Sequence, residues 1–211
     1  MKEYETEPVR GLPAHLPAGE SILWQGAPQW GALARRLFHV RKIAVYFALL
    51  LAWLVYGDIV DGIPTEATLR SSLWVIGGAA VVIALLCGIA VLIARTTIYT
   101  ITTRRVVMRF GMALTMALNL PFRRVRSAGL RVYPDGTGDI PLQLGDGDRP
   151  AYLLLWPHAR PWRFSRAEPM LRGIPDAGSV AGILAGALAT DTQTRVPAAE
   201  PGAAPRTSAA A

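Results

Sequence analysis

Ser71 to Ala94 reads SSLWVIGGAAVVIALLCGIAVLIA, a run without a single charge, bounded by Arg70 and Arg95. A hydrocarbon core takes about 20 apolar residues to cross as a helix, so this run predicts a membrane span. Working outward, Ile43 to Gly57 (IAVYFALLLAWLVYG) is also uncharged and with its flanks predicts a second span over about 41–60, set beside 71–94. Tyr46, Trp53, Tyr56 and Trp74 sit where rings with a polar tip favour the bilayer interface. Arg35, Arg36, Arg41 and Lys42 precede the first span, and Arg95, Arg104, Arg105 and Arg109 follow the second. The loop between them offers Asp58, Asp61 and Glu66 against Arg70. Basic residues stay on the cytoplasmic side, which predicts a multi-pass membrane hairpin with both termini cytoplasmic.

The chain has 211 residues and a net charge of +7, leaving room for one modest domain beside the hairpin. Its arginines cluster beside the spans, so anionic lipid explains the charge more economically than nucleic acid does. Cys87, the single cysteine, falls inside the second span, which excludes a disulfide framework and a thiolate metal cluster. No Walker loop, nucleophile elbow or HExxH motif occurs. His15, His39 and His158 are far apart and are expected as ordinary surface or interface histidines. Asp135, Asp139, Asp146 and Asp148 lack the order of a calcium loop and are expected in turns. These observations predict a chain that is not an enzyme and that holds no metal or cofactor.

Outside the spans the period changes. Residues 1–18 lack a hydrophobic run and are expected as an extended arm without a signal peptide. Glu20 to Pro28 predicts a short strand with Ile22 and Trp24 on one face and Leu23 on the other, which must pair with something later in the chain. Ala34 to Lys42, with its double arginine, resembles an export signal only superficially and fits a basic juxtamembrane anchor better. Thr96 to Met108 predicts two strands around a turn at Thr102 to Arg105, and Leu114 to Pro121 a third. Phe122 to Gly129 is expected as a basic connection. Leu130 to Tyr133, Ile140 to Leu144 and Ala151 to Trp156 are expected as further strands, separated by turns at Pro134 to Asp139 and Gly145 to Asp148. Pro175 to Leu188 predicts a helix capped by Asp176 or Ser179, with Val180, Ile183, Leu184, Ala187 and Leu188 on its apolar face. Residues 190–211, rich in Ala, Pro and Thr, are expected as a disordered tail.

Antiparallel strands closed by one helix, with the first strand ahead of a membrane hairpin, resemble the bacterial pleckstrin-homology-like (PH-like) proteins. Leu23-Trp24-Gln25-Gly26, Tyr99-Thr100-Ile101-Thr102 with Arg104-Arg105, and the helix after Ile174-Pro175 carry that resemblance. It implies an α+β membrane protein: a first domain segment at 19–34, a hairpin at 35–95 and the main part of the domain at 96–189. Glu7-Pro8 with Gly11-Leu12-Pro13, Ile22 to Pro28, Phe38 to Lys42, and Asn119 to Phe122 further resemble the PuhB family of photosynthetic-complex assembly proteins of purple bacteria. That likeness covers roughly residues 7 to 189. It implies a non-enzymatic factor whose partners are reaction-centre and light-harvesting subunits or other assembly factors.

Two sets of residues are candidate contacts. Ala44, Ala48 and Ala52 in the first span, and Ala80, Ala84 and Gly88 in the second, form lines of small residues that permit close helix approach. They would face each other, or another protein, a second copy included. Arg104, Arg105, Arg109, Arg123, Arg124 and Arg126 would meet either membrane lipid headgroups or acidic side chains of a client. Neither span contains a histidine to ligate pigment, and His39 would lie near the headgroups, so the chain is expected to handle subunits rather than store pigment.

Overall fold

The computed structural model describes residues 11–12, 15–111, 115–145 and 150–195. In chain order the elements are β1 (Ile22–Gly26), α1 (Trp30–Arg36), α2 (Val40–Val60), α3 (Thr65–Thr96), β2 (Ile98–Thr102), β3 (Arg105–Phe110) and β4 (Met116–Pro121). A 3-10 turn at Phe122–Arg124 leads to β5 (Val125–Ala128), β6 (Arg131–Val132), β7 (Gly138–Leu144), α4 (Tyr152–Leu155), β8 (Met170–Ile174) and α5 (Ala177–Arg195).

Two helices are long and apolar enough to span a membrane: α2 with 21 residues and α3 with 32. At 1.5 Å per residue α3 is about 48 Å long, well beyond a core of about 30 Å. Its surplus is where the rest of the protein takes hold. Ala90 and Ile93 are buried there against Leu33 and Ala34 of α1, with Leu37, Phe38 and Cys87 closing the cluster.

Strand β1 finds its partner across both helices. It pairs antiparallel with β2, Trp24 opposite Ile101 and Gly26 opposite Tyr99, and the first sheet runs β1-β2-β3-β4. Ile22 and Trp24 are half-buried and Leu23 is exposed, the alternation expected of a sheet edge with one covered face. The second sheet runs β5-β7-β6, with β8 also on β7. The two sheets and α5 enclose one core that includes Tyr99, Ile101, Val106, Met108, Leu120, Ile140, Leu142, Leu155, Leu171, Val180 and Leu184. Gly138 lets α5 approach β7, because a Cβ there would fall 2.5 Å from that of Ala177.

Several expectations change. Ala151 to Trp156 is not a strand: Pro150 and Pro157 bracket it and cannot donate to a ladder, and Tyr152–Leu155 makes a single helical turn that turns Leu155 into the core. Phe122 to Gly129 is a 3-10 turn followed by β5 rather than a plain connection. Helix α1 and strand β8 were not anticipated. Helix α5 continues to Arg195, with the hydroxyls of Thr190, Thr192 and Thr194 each donating to a carbonyl four residues earlier, so 190–195 are helical rather than tail. The remainder of that tail, 196–211, lies outside the described residues, as do most of the arm, Leu114, Asp146 and Asp148. Gly11 and Leu12 of the arm are docked: Leu12 is buried, and a Cβ on Gly11 would fall 2.7 Å from Ile98.

Candidate interaction surfaces

Helix α3 passes into β2 through Thr97 alone, and the joint is fixed by a buried polar network. The peptide N–H of Arg172 donates to the Tyr99 hydroxyl at 3.3 Å, and the same hydroxyl is hydrogen-bonded to His158 Nδ1 at 2.7 Å. On the other side of the ring His158 Nε2 is hydrogen-bonded to Thr97 Oγ1 at 3.2 Å. Thr97, Tyr99 and His158 are all buried, and Phe110 packs on the imidazole with ring centroids 5.0 Å apart. Burial, then the positive charge of Arg172, pushes the His158 pKa down to about 3. Burial likewise pushes the Tyr99 phenol well above its ordinary range. The expected surface histidine is therefore a neutral core residue that ties the helix end to the sheet.

A second tie joins α1 to the β6–β7 turn. Arg35 Nη2 lies 2.9 Å from Asp135 Oδ2, and Arg36 Nη2 lies 2.7 Å from Asp135 Oδ1. Arg36 also donates to the Thr137 hydroxyl and stacks over the Tyr133 ring at 3.5 Å from its centroid. Hydrogen bonds from Arg36 and Thr137 hold the Asp135 carboxyl well below the usual carboxylate range. Behind this pair Tyr133 donates to Asp139 Oδ2 at 2.8 Å, and Asp139 Oδ1 accepts the Gly173 N–H at 2.8 Å. Gly173 has φ 61, a left-handed conformation that suits glycine, and its carbonyl accepts the Gln29 N–H at the start of α1. Arg35 and Arg36, expected as a lipid anchor, are thus committed to holding α1 on the domain.

The six candidate arginines separate. Thr103 and Arg104 form the β2–β3 turn and Arg105 opens β3, and the Phe122 N–H donates to the Arg104 carbonyl at 3.1 Å, so Arg123 and Arg124 stand at the same end of the sheet. Arg104, Arg123 and Arg124 are exposed. Arg105 instead makes a two-pronged bond to Glu20, Nε to Oε1 at 2.7 Å and Nη2 to Oε2 at 2.8 Å. Burial alone would raise the Glu20 pKa, but the bonds from Arg105 and Thr102 outweigh it and hold it low. Arg109 is buried at the other end of β3, opposite Ala117, and cannot belong to an exposed basic surface. Arg126 lines a recess of about 110 Å³ together with Arg163, Arg166 and Glu168, arginines that the sequence reading did not single out. The β2–β3 turn lies beyond the five residues of β2, roughly 17 Å of strand from the end of α3.

The small-residue lines do not face each other. Helix α2 turns Ile43, Phe47, Leu51, Leu54 and Val55 inward as half-buried residues where it packs on α3, whereas Ala44, Ala48, Ala52, Ala80, Ala84 and Gly88 are all exposed. Large side chains make the contact between the helices and the smooth lines point outward. No group of His, Cys, Asp and Glu placed to hold a metal occurs among the described residues.

The fold and its surfaces can now be set against known proteins. The family model for the bacterial PH domain matches residues 36–188, and the chain belongs to that family. At 40% identity over 190 residues, 86% of each chain, it is similar to an uncharacterized 23.7 kDa protein in the puhA 5' region of Rhodobacter capsulatus. That locus agrees with the PuhB family resemblance carried by the sequence motifs. No solved structure matches.

Proposed function

We propose that the chain is a non-enzymatic factor of the bacterial inner membrane that assists assembly of the photosynthetic reaction centre and its light-harvesting complex. In this reading α2 and α3 are a transmembrane hairpin inserted between β1 and β2 of the PH-like domain, α5 closes that domain, and both termini are cytoplasmic. The observation that carries the reading is the outward exposure of both small-residue lines, which leaves two smooth helix faces for the membrane helices of a client. The locus of the Rhodobacter capsulatus relative supports a photosynthetic client.

Arg104, Arg123 and Arg124 then serve a cytoplasmic contact. Their distance from the end of α3 exceeds the Debye length of about 8 Å at physiological salt, which favours acidic side chains of a client over the headgroups at the foot of the spans. That distance disfavours the second reading, a general lipid-binding protein acting through these arginines.

The test is photo-crosslinking from Arg123 and Arg124 in cells assembling photosynthetic complexes, together with deletion of the gene. Crosslinks to reaction-centre or light-harvesting polypeptides are expected, and deletion should lower assembled complexes while pigment synthesis continues. Loss of pigment precursors, or crosslinks to lipid alone, would overturn the proposal.

A further inference from the structure

Between β7 and β8 the chain carries an apolar surface that the core does not use. Trp162 is 85% exposed, Phe164 64% and Leu153 86%. The rings are nonetheless ordered against one another. Trp162 meets Phe164 edge-on with centroids 6.3 Å apart, and Phe164 packs on Tyr152 at 4.7 Å. Trp162 has φ 65, a costly backbone conformation for a bulky residue. A contiguous apolar ridge of this kind marks an interaction site.

Its position indicates the occupant. Trp162 lines an open cavity of about 620 Å³ with Leu37 and His39, immediately before α2 begins at Val40. Trp156 lines a smaller recess with Ile93, Thr96 and Thr97, where α3 ends. Trp162 and Trp156 therefore border the start of α2 and the end of α3, the level at which tryptophan and tyrosine gather in membrane proteins. Arg160, Arg163 and Arg166 are interleaved with the rings, and Glu168, which pairs with Arg160 and Arg163, is the acidic group facing them. The excess of positive charge complements anionic headgroups.

We propose that the ridge of Tyr152, Trp162 and Phe164, with Trp156 beside it, is an interfacial anchor that dips into the headgroup region of an anionic bilayer. It gives the domain a third point of contact with the leaflet that the helices cross. The inference rests on the reading of α2 and α3 as spans.

The test uses the full chain carrying Cys87→Ser, with one new cysteine at a time labelled by an environment-sensitive fluorophore. Each protein is reconstituted into vesicles of phosphatidylcholine and phosphatidylglycerol containing spin-labelled quencher lipid. The positions are Trp162→Cys, Pro161→Cys, which keeps the Trp162 ring in place, Leu85→Cys inside α3 and Thr192→Cys on α5. Quenching at 161 and 162 several-fold above that at 192, strongest with a quencher near the headgroups, is the expected result. If Leu85→Cys is quenched while 161 and 162 match 192, the anchor is wrong, the spans stand and the ridge is a protein-docking face. If Leu85→Cys is not quenched either, the spanning reading falls and the anchor falls with it.

Discussion

The two ends of the β domain are built on opposite terms. At the end that meets α3, polar groups are buried and paired: Thr97, His158, Tyr99 and the Arg172 amide share one chain of hydrogen bonds, and Arg36 is held by Asp135 and Thr137. At the opposite end Arg104, Arg123 and Arg124 are exposed on a turn and a 3-10 segment, with Glu20 and Arg105 as a tightly bonded pair behind them. Polarity spent on hydrogen bonds inside a core fixes geometry, while polarity left on a loop remains available to a partner.

The comparison is sharpened first at the joint. His158→Ala strands the Tyr99 and Thr97 hydroxyls and opens a cavity beneath Phe110, so it should cost about 2–4 kcal/mol by denaturant unfolding in detergent micelles. The same residue gives the joint a pH dependence. The unfolded chain takes up a proton on His158 below its ordinary value of 6.5, whereas the folded protein resists until about 3. Stability should therefore be complete above pH 6.5 and decline as the pH falls toward 3. In His158→Gln the part of that decline between pH 6.5 and 4.5 should vanish, before the lowered carboxyls of Glu20 and Asp135 begin to contribute in the same direction.

A smaller effect is expected behind the distal end. Glu20→Ala removes both prongs from Arg105 and should destabilise by about 1–2 kcal/mol, read as faster hydrogen exchange in β1. Asp135→Asn should loosen α1 from the β6–β7 turn, with exchange rising in residues 30–36 and little change in the melting temperature. The smallest effect on stability belongs to the arginines themselves. Arg123→Glu with Arg124→Glu should stay within about 0.5 kcal/mol of the parent protein and yet abolish client crosslinking from a probe placed at Arg104. If that pair destabilises the domain, or if His158→Ala does not, the contrast between the two ends is wrong.

What the sequence discloses follows the same division. The apolar helices are legible because length and hydropathy alone define them, and β1 because a lone strand implies a partner. Helix α1 escapes because its seven residues lack an acidic first turn or a side-chain cap. Strand β8 escapes because Arg172 and Gly173 interrupt its apolar pattern. His158 is hidden for a different reason: its neighbours Thr97 and Tyr99 lie 61 and 59 residues away, and no local signal marks a buried imidazole. The candidate arginines were grouped by nearness in sequence, and strand geometry separates them, since Arg105 and Arg109 occupy opposite ends of β3. Spacing places the small residues in lines along each helix, and only packing reveals that they point away from the neighbouring helix.

The single residue between α3 and β2 leaves the joint no slack. With Thr97 bonded to His158 and the last turns of α3 clasped by α1, helix and sheet are joined as one lever, and if α3 spans a bilayer as proposed, the fulcrum is the membrane surface. For a span that changes its tilt by roughly 10°, well inside the range transmembrane helices adopt, the arginine end about 17 Å away swings through about 3 Å. That is the width of a hydrogen bond, enough to make or break a contact with a client. On the proposed reading, a neighbour that packs on the exposed alanines, or a local change in bilayer thickness, would be a mechanical input whose output is delivered at Arg123 and Arg124.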